Sequence, residues 1–205
     1  MMGKVFDGID GKLAAWIGRQ RMFFVGTAPS GDDGHINVSP KGGANLFHVT
    51  GPHGFAYVDL MGSGIETIAH LRENGRIVVM FCAFEGGPKI LRLHGVGTPI
   101  QQGDDDFASA LARFDVADEQ RDAVRSVIEI DVTRVADSCG FVVPRMDYVG
   151  ERDQLYRYAE NRLRKEGEDA VRAYVTSNNA ASIDGLDGLD PLTNGAAPVS
   201  SGRKL

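Results

Sequence analysis

The sequence predicts a mainly β fold of the α+β class: an antiparallel β-barrel, closed or half-closed, flanked by helices. Three observations predict it. Several segments alternate apolar and polar residues with the two-residue period of a strand. Before Tyr57 and after Phe84 these segments are joined by short turns rich in Gly and Pro, too short for the helical crossover that parallel strands need. Helical spacing is confined to the two ends and a few short stretches between strands.

The elements follow in order. Asp7–Gln20 places Ile9, Leu13, Trp16 and Ile17 on one face of an amphipathic helix. Arg21–Ala28 is a strand, and Pro29–Gly34 is a turn cluster. In Ile36–Pro40 the residues Ile36, Val38 and Pro40 face one way, while Asn37, Ser39 and Lys41 face the other. Pro40 has no N–H for a ladder, so this strand belongs at an edge or ends there. Gly42-Gly43 leads into Ala44–Val49, and Gly51-Pro52-His53-Gly54 turns into a strand at Phe55–Leu60.

A turn at Gly62 and Gly64 then opens a short helix. Ser63, three residues ahead of Glu66, reads as a capping box; Ile65, Ile68, Ala69 and Leu71 form an apolar stripe; Asn74-Gly75 is the stop. Arg76–Phe84 is the next strand, and Glu85-Gly86-Gly87-Pro88 makes a hairpin into Lys89–Pro99. There Leu91 and Leu93 take one face, Arg92 and His94 the other. Asp104 is expected to cap a helix running to Phe114, and Asp118 a second running to Arg125. Ser126–Val135 is the last strand, and Glu151–Lys165 is helical with a solvated charged face. The expected division is one domain over 1–175 and a tail over 176–205, disordered from Asn194.

Composition narrows the classes. The chain has 205 residues, room for one substantial core, with 42% hydrophobic and 24% charged residues. Acidic residues number 28 against 22 basic, a net charge of −6 with no basic run, which disfavours nucleic acid or an anionic membrane as the main partner. No apolar stretch approaches the ~20 residues of a membrane span, and no signal-peptide pattern opens the chain. Cys82 and Cys139 lie far apart, which fits a reducing cytoplasm. The five histidines show neither an H-x-x-x-H nor an H-x-E spacing, which points away from a metal site.

The stretch Val58–Thr67 (V-D-L-M-G-S-G-I-E-T) carries the sharpest functional signal. A glycine turn opening a helix offers free backbone N–H groups to a phosphate. Alone it suits an S-adenosylmethionine-dependent methyltransferase or a dinucleotide-binding turn, with Glu85 as a ribose ligand. Those folds need further strand–helix units, whereas hairpins surround this one. If the apolar faces fill a barrel, Asn37, Ser39, Lys41, Tyr57, Asp59, Arg92 and His94 share its outer surface beside the helix start.

This set of pieces, H-I-N-V-S-P-K-G (His35–Gly42), the run from Phe55 to Phe81, and K-I-L-R-L-H-G-V-G (Lys89–Gly97), resembles the pyridoxamine 5'-phosphate oxidase-like family over roughly Leu13–Val135. The resemblance implies a split β-barrel and an FMN-dependent oxidoreductase acting on a small-molecule substrate. It also implies a homodimer with the cofactor at the subunit interface. FMN is the expected cofactor, with a deazaflavin or haem as variants of the same barrel; a flavin-binding protein without turnover is the alternative of another class. Carried onto this chain, Asn37, Val38 and Ser39 line the ring and Lys41 lies near it. Tyr57, Asp59, Ser63, Gly64 and Thr67 hold the ribityl chain and phosphate, with Arg92 supplying charge. Ser63-Gly64-Ile65-Glu66-Thr67 stands where the vitamin B6 enzyme has a serine-arginine-lysine run, and that enzyme's basic C-terminal substrate motif is missing, so the resemblance is to the wider family. No catalytic acid or base is assigned. The Cys139–Tyr148 loop is expected to close over the cofactor or the partner, with Arg145 or Tyr148 near the substrate.

Overall fold

The structure is a computed structural model and describes residues 3–43 and 45–191. The predicted tail from Asn194 lies outside the described residues, as does Ala44 of the predicted fourth segment.

Among the described residues, eight strands form one antiparallel sheet. They are β1 (Val5–Phe6), β2 (Met22–Thr27), β3 (Asn37–Gly42), β4 (Phe47–Gly51), β5 (Gly54–Leu60), β6 (Arg76–Cys82), β7 (Ile90–Gln101) and β8 (Val124–Ser138). Their spatial order is β3-β2-β6-β7-β8-β5-β4, with β1 added to β8. β3 and β4 are the two ends of that order, so the curled sheet is split between them. The Pro40 edge prediction holds for this reason: β3 pairs on one side, with β2.

Cross-strand partners in an antiparallel ladder share a face, so the register identifies the interior. Phe23, Val25, Tyr57, Val79, Phe81, Leu91, Leu93, Ile128 and Ile130 are all buried and fill the barrel. Phe23 contacts Phe47, Phe55, Tyr57 and Phe81 at ring-centroid distances of 5.1–5.6 Å. Six helices among the described residues flank the sheet: α1 (Gly11–Ile17), α2 (Glu66–Asn74), α3 (Phe107–Leu111), α4 (Asp118–Arg121), α5 (Gln154–Glu166) and α6 (Glu168–Asn179). α1 starts on Asp10, whose carboxylate accepts from the Leu13 N–H, and buries Leu13 and Ile17 in the barrel core. α2 ends at Gly75, whose left-handed φ of 71° is the predicted stop. α3 packs Phe107, Ala110 and Leu111 on the outside of β5 and β8 against Ala56, Val58 and Val127.

Three local expectations are corrected. α2 begins at Glu66 with Ile65 at its N-cap and no side-chain cap bond, so Ser63 and Glu66 do not form a capping box. Asp104 does not cap a helix; its carboxylate accepts from the Gln101 N–H and closes the turn after β7, leaving α3 short. The helix expected from Asp118 to Arg125 ends at Arg121, and β8 starts at Val124, which puts Arg125 on a strand. The doubly wound alternative also falls here. β5 and β6, on either side of α2, are separated in the sheet by β7 and β8 and run antiparallel.

Candidate functional site

The register turns β3 over relative to the sequence expectation. Lys41, Ser39 and Asn37 pair with Phe23, Val25 and Thr27, all of which point inward. The polar residues of β3 therefore face the barrel, and Ile36 and Val38 are 78% and 67% exposed. A strand at the rim has only half a core to fill, so its apolar residues do not decide which face turns in. Tyr57 and Asp59 are interior as well, not on an outer polar face. Arg92 and His94 alternate with the buried Leu91 and Leu93 and lie on the outer side, with Arg92 donating to the Ser138 hydroxyl at 3.1 Å.

At the end of the barrel a cleft of about 370 Å³ opens among β3, the turn between β5 and α2, the start of β8, and α5. That is within the usual size range of small-molecule sites. Ser39, Lys41, Ser63, Gly64, Thr67 and Arg125 are among its lining residues, with Leu46, Val58 and Leu155 as apolar wall. Of the predicted residues, the structure brings Ser39, Lys41, Ser63, Gly64 and Thr67 together here. Asn37 stands one hydrogen bond behind, Asp59 supports the cleft from within, and Tyr57 is packed in the core with Lys41 Nζ 6.0 Å from its ring centre. Val38 points away to solvent, and Arg92 is not in the lining.

Asp59 organises the charge. Its carboxylate is wholly buried and bridges Lys41 Nζ at 2.7 Å and Arg125 Nε at 2.6 Å. Burial alone would raise its pKa, but the charges and hydrogen bonds of Arg125 and then Lys41 bring it down to about 2. Arg125 itself is buried and also donates to Asn179 Oδ1 at 3.0 Å, while Asn179 Nδ2 donates to the Gly62 carbonyl at 3.0 Å. The end of α6 thereby clips the arginine to the glycine turn. A strap follows: Leu189 N–H donates to Asn179 O, Asp184 accepts from His35, and Asp190 pairs with Arg72. Sequence reasoning missed both Arg125 and Asn179. The first was assigned to a helix end and the second to the tail; an arginine immediately before an alternating strand was the available signal.

Chemically, the cleft offers the first turn of α2, whose leading N–H groups have no intrahelical acceptor, together with hydroxyl donors and two cations. The cations are balanced within one chain by Asp59 and by Glu66, which also lines the cleft. No residue of the Cys139–Tyr148 loop lines this cleft. Met146 N–H donates to Phe84 O, and the Tyr148 ring lies 4.6 Å from the Arg21 guanidinium while its hydroxyl donates to Glu151. No helix among the described residues is long and apolar enough to cross a membrane.

A half-open antiparallel barrel with an anion-friendly helix start at its mouth defines a split-barrel class of small-ligand protein. The comparisons agree: the family model for pyridoxamine 5'-phosphate oxidase matches residues 9–139, and the chain belongs to that family. It is 40% identical over 197 residues to the pyridoxamine 5'-phosphate oxidase family protein ustO of Aspergillus flavus, covering 90% of this chain and 77% of that one. Among solved structures, it is similar to a pyridoxamine 5'-phosphate oxidase-related, FMN binding protein of Nostoc punctiforme, with 10% identity, 57% and 73% of the two chains covered, and a TM-score of 0.45. It is also similar to the conserved hypothetical protein Rv2991 of Mycobacterium tuberculosis, with 14% identity, 72% and 98% covered, and a TM-score of 0.47.

Proposed function

We propose that this protein is an FMN-dependent oxidoreductase acting on a small molecule, working as a homodimer. The observation that carries the reading is the cleft itself. A helix N-terminus, the Thr67 hydroxyl and two cations converge at one end of a polar β3 surface, a donor set that suits a phosphate attached to a flat ring system. FMN, when bound, supplies the redox chemistry; the chain supplies binding, orientation and polarity. Lys41 and Arg125 set the charge at the phosphate end, Ser63, Gly64 and Thr67 contribute donors, and Ser39 faces the ring edge.

The outer face of the sheet supports the dimer. Pro40, Phe24, Met80 and Arg92 lie in one row across β3, β2, β6 and β7, and Val38, Gly26, Val78 and His94 in the next. This face is apolar at its β3 edge, a pattern that marks association surfaces. In the dimer, Arg92 is assigned to the partner-facing side, where it offsets the charge balance of a single cleft. A reducing compartment, the cytoplasm, is the proposed setting.

The test is direct. Purified protein, as isolated or after reconstitution, should show flavin absorbance, and the bound flavin should be reduced and reoxidised faster than free FMN by at least one pair among NAD(P)H, amines and quinones. Flavin retained without any acceleration leaves a binding protein without turnover; no retention of FMN refutes the reading.

A further inference from the structure

Behind the cleft the hydrogens of a buried polar chain can be counted. Asn37 Nδ2 lies 3.0 Å from Thr27 Oγ1 and 3.0 Å from Thr67 Oγ1, and Ser39 Oγ lies 2.9 Å from Asn37 Oδ1. Thr27 Oγ1 is in turn 3.0 Å from Nδ1 of His70, and Thr27, Thr67 and His70 are all buried. An amide nitrogen has two hydrogens and accepts none, so Asn37 gives one each to Thr27 and Thr67. An amide oxygen only accepts, so the Ser39 hydroxyl spends its hydrogen on Asn37. Thr27, having accepted from Asn37, has its own hydrogen left, and the acceptor beside it is His70 Nδ1. Burial lowers the imidazole's pKa and favours its neutral form; with Thr27 donating to Nδ1, the ring proton belongs on Nε2, which has no partner among the described residues. Facing the cleft, Thr67 still has a hydrogen to give, and Ser39 has lone pairs to receive one.

We propose that Asn37 is a positioning residue that sets the polarity of the cleft, an acceptor at Ser39 and a donor at Thr67. The ligand it selects carries an N–H or O–H group facing Ser39 and an anionic oxygen facing Thr67. The choice of probe rests on the flavin reading: the phosphate goes to Thr67 at the start of α2, and the ring edge to Ser39. Turning the amide over would reverse every hydroxyl in the chain and move the imidazole proton to Nδ1. The tautomer of His70 therefore reports the whole network without any ligand present.

The experiment has two arms. Nitrogen-15 NMR of the histidine side chains in flavin-free protein should show His70 protonated at Nε2. In Asn37→Asp, whose carboxylate only accepts, Thr27 turns to donate to it and His70 should shift to the Nδ1–H form. In the second arm, FMN and riboflavin are titrated into the parent, Thr67→Ser and Thr67→Val. Thr67→Val should lose about tenfold or more in FMN affinity relative to riboflavin, as expected for one hydrogen bond to a charged group, and Thr67→Ser should keep the parent's preference. An Nδ1–H tautomer in the parent, or equal losses for both flavins in Thr67→Val, overturns the proposal. A parent with the Nε2–H tautomer that binds neither flavin upholds the polarity and refutes the flavin reading instead.

Discussion

Asp59→Asn is the perturbation that tests the site's electrostatics most sharply. The substitution keeps the shape of the side chain and removes the charge that holds Lys41 at 2.7 Å and Arg125 at 2.6 Å. The Asp59 pKa of about 2 lies nearly two units below an ordinary aspartate. At 1.36 kcal/mol per unit, the ionised carboxylate contributes about 2–3 kcal/mol to stability at neutral pH. Because the folded pKa is depressed, that contribution is complete above about pH 4 and is lost as the pH falls toward 2. The variant leaves two cations without their shared anion, so its cost at neutral pH is at least that figure and reaches about 3–5 kcal/mol if Arg125 finds no other anion. Urea denaturation of parent and variant at pH 7, and at steps from pH 5 down to 2.5, measures both quantities. The variant should be less stable at pH 7 and should have a flatter acid limb than the parent. A variant within about 0.5 kcal/mol of the parent at pH 7 would refute the bridging role.

Lys41→Ala should keep the fold, since Asp59 retains Arg125, but should weaken FMN retention about tenfold, read by equilibrium dialysis. Val38→Asp places a charge on an exposed position of β3 and should shift the protein from dimer to monomer in analytical ultracentrifugation while leaving the melting temperature nearly unchanged. His70 is held below its ordinary pKa by burial, so the unfolded chain takes up a proton below about pH 6.5 that the folded chain refuses. Stability should therefore decline from pH 6.5 to 5, and His70→Gln should lessen that slope in the same denaturation series.

Much of the fold was legible because strand alternation, glycine turns and the Asn74-Gly75 stop are local signals. The antiparallel hairpins on either side of α2, β4 with β5 and β6 with β7, were legible because short Gly/Pro turns leave few alternatives. Side-chain direction on β3 was not. Ile36, Val38 and Pro40 form a clean apolar face, yet pairing with Phe23 and Val25 turns Lys41 and Ser39 inward, and only the long-range register carries that information. The same limit hid the cation. Arg92 is conspicuous between two leucines, whereas Arg125 gains its meaning from Asp59, 66 residues earlier, and from Asn179, 54 residues later. The short α4, closed by Gln120 reaching back to the Ala117 N–H, frees Val124 and Arg125 for the sheet.

The clip made by Asn179 has a consequence for synthesis. The eight strands among the described residues all lie before residue 139, so the barrel can pair while later residues are still being made. Gly62 and Arg125 meet their shared asparagine only after it emerges, 117 residues behind the first and 54 behind the second. Until then Arg125 is held by Asp59 and by a long contact of 3.5 Å to the Gly62 carbonyl, without the asparagine that joins arginine and turn. Closing the mouth thus waits on residue 179, and a product stopped short of it would lack the bond that joins Arg125 to the Gly62 turn.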